Sequence, residues 1–367
     1  MPNRRTFFKD VGRAAAGAMV LGSRLDAAGQ ALQAGRRRET RIRGRRVTTI
    51  DVHAHTAIPE VTEFLKNTKL ARTQAGNKYD PLLPFIPQRL QAMDEQGIDM
   101  QALSINQFWY GTERELARDL IKLQNEKLAQ MCAQHPDRLV GLATVALQHP
   151  DLAAEQLEEG IKKLGLRGGS IGTSVNNEEL ASPRFDPFWA KAEELGAVLF
   201  MHPGGTPELQ TRLRGNGMLT NVIGNPLGTT IALSHLIFEG TLDKFPRLKI
   251  CAAHGGGFLP SYANRSDHGC RVFAENCMHT LKKKPTEYVK QFYVDALVFT
   301  PEAVRHLVAE VGASQIVLGT DYPYPWTTTT GAVEVVMATP GLSDADRIAI
   351  LGGNAARLLG LGEESKK

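Results

Sequence analysis

Ile50-Asp51-Val52-His53-Ala54-His55 closes a short apolar run with two imidazoles two positions apart. Side chains alternate across an extended segment, so His53 and His55 point to the same side and together can grip one cation. Taken alone the pair equally describes two surface histidines. The pattern gains weight because it recurs. Other apolar runs end Met201-His202-Pro203-Gly204-Gly205, Ala253-His254-Gly255-Gly256-Gly257 and Thr320-Asp321-Tyr322-Pro323. Each places His or Asp at the end of the run and follows it with Gly or Pro, which shape tight turns close to a ligand. Three neutral imidazoles and one carboxylate suit a divalent first-row ion, Zn²⁺ first and Mn²⁺ as the alternative. Such an ion lowers the pKa of a bound water or acts as a Lewis acid on a carboxylate or enol oxygen.

The elements that must hold these residues are legible as alternation. Eight short β-prone runs, at 47–52, 98–105, 139–145, 168–171, 197–201, 248–252, 292–294 and 316–318, are separated by helical stretches. The helical patterns cover 113–134, 152–164, 188–195, 226–239 and 301–311. Nearly continuous apolar runs fit parallel strands buried on both faces. The expected fold is α/β, a (β/α)8 TIM barrel with a small insertion after the first strand, whose C-terminal rim carries the site. A doubly wound open sheet is the alternative, because periodicity does not count closure. No G-x-G-x-x-G follows the first run and no G-x-x-x-x-G-K-[ST] occurs, so nothing points to a nucleotide cofactor.

In this order, I-D-x-H-x-H, H-P, A-H-G-G-G and G-T-D-Y-P, the sequence resembles the amidohydrolase superfamily, and within it the aminocarboxymuconate-semialdehyde decarboxylase-like branch. The resemblance spans Val47 to about Gly362 and includes Arg89–Gly97, Gly172–Asn176, Phe245–Lys249 and Phe292–Ala296. It implies that His53, His55, His202 and Asp321 are metal ligands. It also implies that His254 orients or deprotonates a water on the metal, with His254 or Asp321 as the acid–base group. Arg265 matches an arginine that reaches the substrate carboxylate of a neighbouring subunit, which implies a homodimer; a surface ion pair with Asp267 is the other reading of Arg265. Phe108, Trp109 and Tyr110 read either as a pocket wall for a planar substrate, with Trp109 as the contact, or as core packing. One departure concerns the substrate. The branch carries a second arginine in a long insertion after the first strand, whereas Thr56–Pro87 is shorter here and offers Arg72 or Lys78 instead. The implied activity is metal-dependent, non-oxidative decarboxylation of an unsaturated or aromatic carboxylic acid, without nucleotide, flavin or pyridoxal phosphate. Hydrolysis or hydration of a lactone, amide or double bond is the alternative, and a non-catalytic metal-binding protein a third.

Of the 367 residues, those up to Arg46 carry a net charge of +9 and the remainder −5, so the chain's +4 belongs to its beginning. Asn3-Arg4-Arg5-Thr6-Phe7-Phe8-Lys9 precedes a short apolar run at 14–21. That run is below the ~20 residues a bilayer requires, and the segment resembles a twin-arginine (Tat) export signal. The expected organisation is a signal and mobile basic linker over 1–46 and a barrel over 47–367. The expected partners are the twin-arginine machinery and a small carboxylic acid, with no nucleic acid, and the expected location is the bacterial periplasm. Cys132, Cys251, Cys270 and Cys277 include no C-x-x-C pair, which excludes a zinc ribbon. Whether Cys270 and Cys277 pair after export is open at the level of sequence.

Overall fold

The computed structural model describes residues 37–71, 86–277, 281–327 and 331–362. The proposed signal, Arg72 and Lys78 lie outside the described residues.

Eight parallel strands form the centre: β1 (Ile50–His55), β2 (Met100–Ser104), β3 (Leu139–Gly141 and Ala143–Thr144), β4 (Gly169–Ile171), β5 (Val198–Met201), β6 (Lys249–Ala252), β7 (Tyr293–Asp295) and β8 (Ile316–Val317). They pair in sequence order, and β8 returns to β1 through Asp51–Leu318 and Ala54–Tyr322 bridges. The Val52 N–H donates to the Leu318 carbonyl at 3.0 Å and the Asp321 N–H to the His53 carbonyl at 2.8 Å. Closure therefore makes the sheet a (β/α)8 barrel rather than an open doubly wound one. All eight apolar runs became strands, buried on both faces as their composition required.

Helices α1 (Ile86–Gln96), α2 (Arg114–Ala133), α3 (Pro150–Lys162), α4 (Asp186–Leu195), α5 (Gly224–Phe238), α6 (Leu259–Val272) and α7 (Pro301–Val311) alternate with the strands. In α7 the Thr300 side chain accepts from the Ala303 N–H, Pro301 fills the first turn, and Val304, Leu307 and Val311 bury one face. The insertion after β1 contributes a helix at Glu60–Leu65.

The basic stretch before the barrel corrects an expectation. From Arg37 onward it is folded and is no free linker. Arg41–Ile42 and Arg45–Arg46 form an antiparallel hairpin turning at Arg43 and Gly44, both with positive φ. Arg37 and Arg46 converge on Asp99 at 2.6 and 2.9 Å, and the same carboxylate accepts from the Thr49 N–H. Asp94, which also faces Arg37, takes Arg138 at 2.7 Å. Among the described residues, Arg37–Arg46 therefore pack with the barrel that follows them.

Candidate metal centre

Period two in β1 turns Asp51, His53 and His55 inward, and a register shift between Asp51 and Ala54 loosens the pairing there. Asp51 anchors the strand end from below: it accepts from the His53 N–H, Gln101 Nε2 and both the N–H and hydroxyl of Thr320. Burial pushes its pKa up to about 6 against those hydrogen bonds. His202 follows β5 and is tied to β4 by its N–H on the Ile171 carbonyl. Asp321 follows β8.

His53, His55, His202 and Asp321 bring one ligand atom each to within 4.8 Å of one another, all four buried. His53 Nε2 lies 3.1 Å from His55 Nε2, and both approach Asp321 Oδ1, at 3.1 and 2.9 Å. The opposite ring nitrogens fix what those Nε2 atoms are. His53 Nδ1 is 2.6 Å from Asp295 Oδ2, a carboxylate oxygen that only accepts. The Ser104 hydroxyl donates to the Ala54 carbonyl and so accepts from His55 Nδ1 at 3.2 Å. Both Nε2 atoms are thereby left as the coordinating nitrogens, facing each other at hydrogen-bond distance, an arrangement that either a proton on His53 or a cation between them satisfies. The donor set fits a divalent ion, with the outer nitrogens held as metal-binding histidines require.

The electrostatics agree. Burial opposes charge on His53, but Asp321 and Asp295 outweigh it and raise its pKa to about 10. Burial lowers His55, and burial with the neighbouring imidazoles takes His202 well below the usual range, leaving both neutral. Burial alone would raise Asp321, yet His53, His254 and His55 hold it well below. His55 and His202 are thus neutral donors, while the carboxylates draw one positive charge onto His53, the charge that a bound cation would replace.

His254 stands beside this set. Its Nε2 is 3.8 Å from Asp321 Oδ2, and its Nδ1 is buried with no hydrogen-bond partner among the described residues. His254 and Asp321 both take positive φ, 57° and 59°, a costly conformation for side chains other than glycine. Asp295 pays for part of that strain by accepting from the backbone N–H groups of His254 and Gly255 at 3.0 and 2.8 Å. Gly319 lets β8 pass this point: a Cβ there would sit 2.8 Å from Asp295 Cβ and 3.1 Å from His53 Cβ.

Asp295 follows the seventh run as Asp321 follows the eighth, yet its place in the site shows only in the folded chain. The same is true of Arg89. It is buried, donates to Gln101 Oε1 and the His55 carbonyl, and lies 4.9 Å from the Tyr322 ring, bracing the ends of β1 and β8.

The structure separates the alternatives left open at Trp109 and Arg265. Trp109 is fully buried and donates Nε1–H to the Val145 carbonyl, so it is core packing and not a pocket wall. Its neighbour Tyr110 does reach a cavity of about 470 Å³ at the barrel rim, shared with Gln107, Gly172, Asn176, Gly204 and Pro207. Arg265 is exposed on α6 with no ion pair among the described residues, and Asp267 is engaged by the Thr286 N–H and hydroxyl instead. Cys270 and Cys277 form a disulfide, while Cys132 and Cys251 are buried free thiols.

Residues 50–361 match a family model described as Amidohydrolase. Over 296 residues, 80% of each chain, the sequence is 33% identical to 2-amino-3-carboxymuconate-6-semialdehyde decarboxylase of Dictyostelium discoideum. The structure is similar to that of 5-carboxyvanillate decarboxylase from Sphingomonas paucimobilis, with a TM-score of 0.77 and 27% identity over 86% of this chain and 99% of that one. It is also similar to dihydroxybenzoic acid decarboxylase from Polaromonas sp. JS666 with bound manganese and the inhibitor 2-nitroresorcinol, with a TM-score of 0.74 and 26% identity over 86% and 98%.

Proposed function

The chain belongs to the amidohydrolase family, and from that premise we propose that it is a metal-dependent, non-oxidative decarboxylase of an unsaturated or aromatic carboxylic acid. The observation that carries this reading is the convergence of His53, His55, His202 and Asp321 with His254 at their edge. A divalent ion held by those four residues supplies Lewis-acid charge and orients the substrate's oxygens. The manganese in the Polaromonas relative supports Mn²⁺ over the Zn²⁺ first expected from the donor set.

The chain's own groups account for the proton. His254 is partly open to the barrel mouth and its Nε2 faces Asp321 Oδ2 at 3.8 Å, the position from which the proposed acid hands over a proton. His254 delivers that proton to the carbon bearing the carboxylate. The new C–H bond draws its electrons from the substrate's π system, and the breaking C–C bond returns a pair to it as CO2 leaves. One proton enters and no oxidant is consumed. Asp295 holds His53 and the His254 turn, and so keeps ligand and acid in a fixed relation.

Replacing His254 by Ala tests the assignment. CO2 release is expected to fall by a factor of about 10²–10⁴ while bound metal stays at the wild-type level. Metal loss in that variant, or unimpaired turnover, would contradict the role.

The homodimer belongs to the same reading. Tyr262, Arg265 and Val272 share one outer stripe of α6, with Phe273 beside its end, and the three apolar members are 62%, 55% and 57% exposed. An exposed apolar stripe around an unpaired arginine suits a second subunit. Export to the periplasm through the twin-arginine machinery also belongs here. The Arg4-Arg5 leader motif supports it, as does the Cys270–Cys277 disulfide, which persists in oxidising compartments. Arg4→Lys with Arg5→Lys should leave the protein in the cytoplasm, and unaffected export would overturn that part of the reading.

A further inference from the structure

Beside the rim cavity lies a second one of about 230 Å³ whose polar lining combines three hydroxyls and an amide with two carboxylates. It opens between the loop after β5 and a small hairpin after β4, in which Ser174–Val175 pairs with Glu178–Glu179. Alternation in the hairpin splits its two acids. Glu178 turns out to Arg184, while Glu179 lines the cavity. Glu179 Oε2 and Thr206 Oγ1 are both buried with no hydrogen-bond partner among the described residues, and Thr206 is only 8% exposed. Groups so placed lose free energy unless something satisfies them.

The space is kept open by bare backbone. Gly228 on α5 lines the cavity, and Gly224, one turn earlier, packs behind Thr206. A Cβ at Gly228 would lie 3.4 Å from both the Gly205 carbonyl oxygen and Thr173 Oγ1, and one at Gly224 would lie 3.0 Å from Thr206 Oγ1. Glu208 adds a second carboxylate to the lining, which contains no Lys or Arg. The two cavities share Thr173, Ser174, Asn177 and Gly205. Gly205 is three residues past His202, no more than about 11 Å along the chain. The cavity thus borders the loop that carries a metal-site histidine.

We propose that this cavity is a specificity subsite, and that the acid decarboxylated at the metal centre carries an amino or hydroxyl group that donates hydrogen bonds to Glu179 and Thr206. The assignment rests on the decarboxylase reading for its place in a reaction, and on the cavity's own chemistry for what it selects. A substituent that donates satisfies both orphaned oxygens. A methyl group leaves them unpaired, and a second carboxylate meets Glu179 and Glu208 with like charge. Sites built around buried polar groups discriminate strongly against analogues that leave them unmet.

The test compares amino- and hydroxybenzoates with their methyl isosteres, substituted at the 2, 3 and 4 positions, on the manganese-loaded protein. Binding is read by calorimetry and turnover by CO2 release. At least one amino or hydroxy acid should bind its site tenfold or more tightly than the matching methyl acid. Thr206→Val and Glu179→Gln should shrink that preference below threefold while the methyl acid's constant moves less than threefold. Gly228→Ala fills the space, so it should weaken the preferred acid tenfold and leave unsubstituted benzoate unchanged. No donor preference in any set, or a preference that survives all three substitutions, overturns the subsite. Donor preference without CO2 release from any acid would keep the subsite and remove the decarboxylase reading for aromatic acids; CO2 release without donor preference does the reverse.

Discussion

His53 stands between two carboxylates, and that placement governs how metal and proton compete. Its Nδ1 proton is committed to Asp295, so only Nε2 is exchangeable, and Asp321 and Asp295 lift the pKa to about 10 despite burial. Because that pKa is raised, the metal-free site holds one extra proton at all pH values below about 10, and binding must release it. Metal affinity is therefore expected to rise close to tenfold per pH unit from pH 7 to 9 and to level near 10. Competition titrations across that range check it, and a flat profile contradicts the arrangement. Asp295→Asn removes the charge behind His53 and should weaken metal binding 10–100-fold, as losses of such supporting groups do. The ligands themselves were legible because period two and strand-end placement are written locally. Asp295 obeys the same strand-end rule, but its partners His53 and His254 are 242 and 41 residues away, a relation only closure of the barrel creates.

At the scale of elements, the strands were readable because burial on both faces demands unbroken apolar runs, whatever their partners. The Arg41–Arg46 hairpin was not. A run of arginines reads as solvated, and the acids that hold it, Asp94 and Asp99, lie ~50 residues on in sequence, at the end of α1 and ahead of β2. Trp109 was ambiguous for a similar reason, since composition does not say which side of a strand-end loop faces the core. Asp99→Ala strips three donors of their acceptor and should lower stability by about 1–3 kcal/mol. A denaturation midpoint unchanged in that variant would show that the hairpin is ornamental to the barrel. Gly319→Ala tests the strand junction at the site: the added methyl wedges between β7 and β1 and should destabilise by about 1–3 kcal/mol. Metal affinity should fall with it, because His53 is one of the two residues displaced.

Across the whole molecule, the folded hairpin also moves the charge boundary. Residues 37–46 carry +5, so the chain from Arg37 on sums to zero and the surplus of +4 resides in residues 1–36. The basic character thus belongs to the segment that the export reading assigns to a signal, and the arginines after it serve the barrel. The dimer reading is testable at the same scale. If Arg265 acts in the partner's site, inactive His254→Ala and Arg265→Ala chains co-expressed at equal levels form some dimers with one intact site. Activity should return to about a quarter of wild type by that arithmetic; no recovery, with monomers by light scattering, contradicts it. The central claim is a decarboxylation that takes a proton from the protein and no electrons from outside. The most direct measurement is turnover by the manganese-loaded enzyme under argon in deuterated water. The account predicts one CO2 per acid consumed and one deuterium on the carbon that lost it. An oxygen requirement, or a hydrated or ring-opened acid with no CO2, would contradict it.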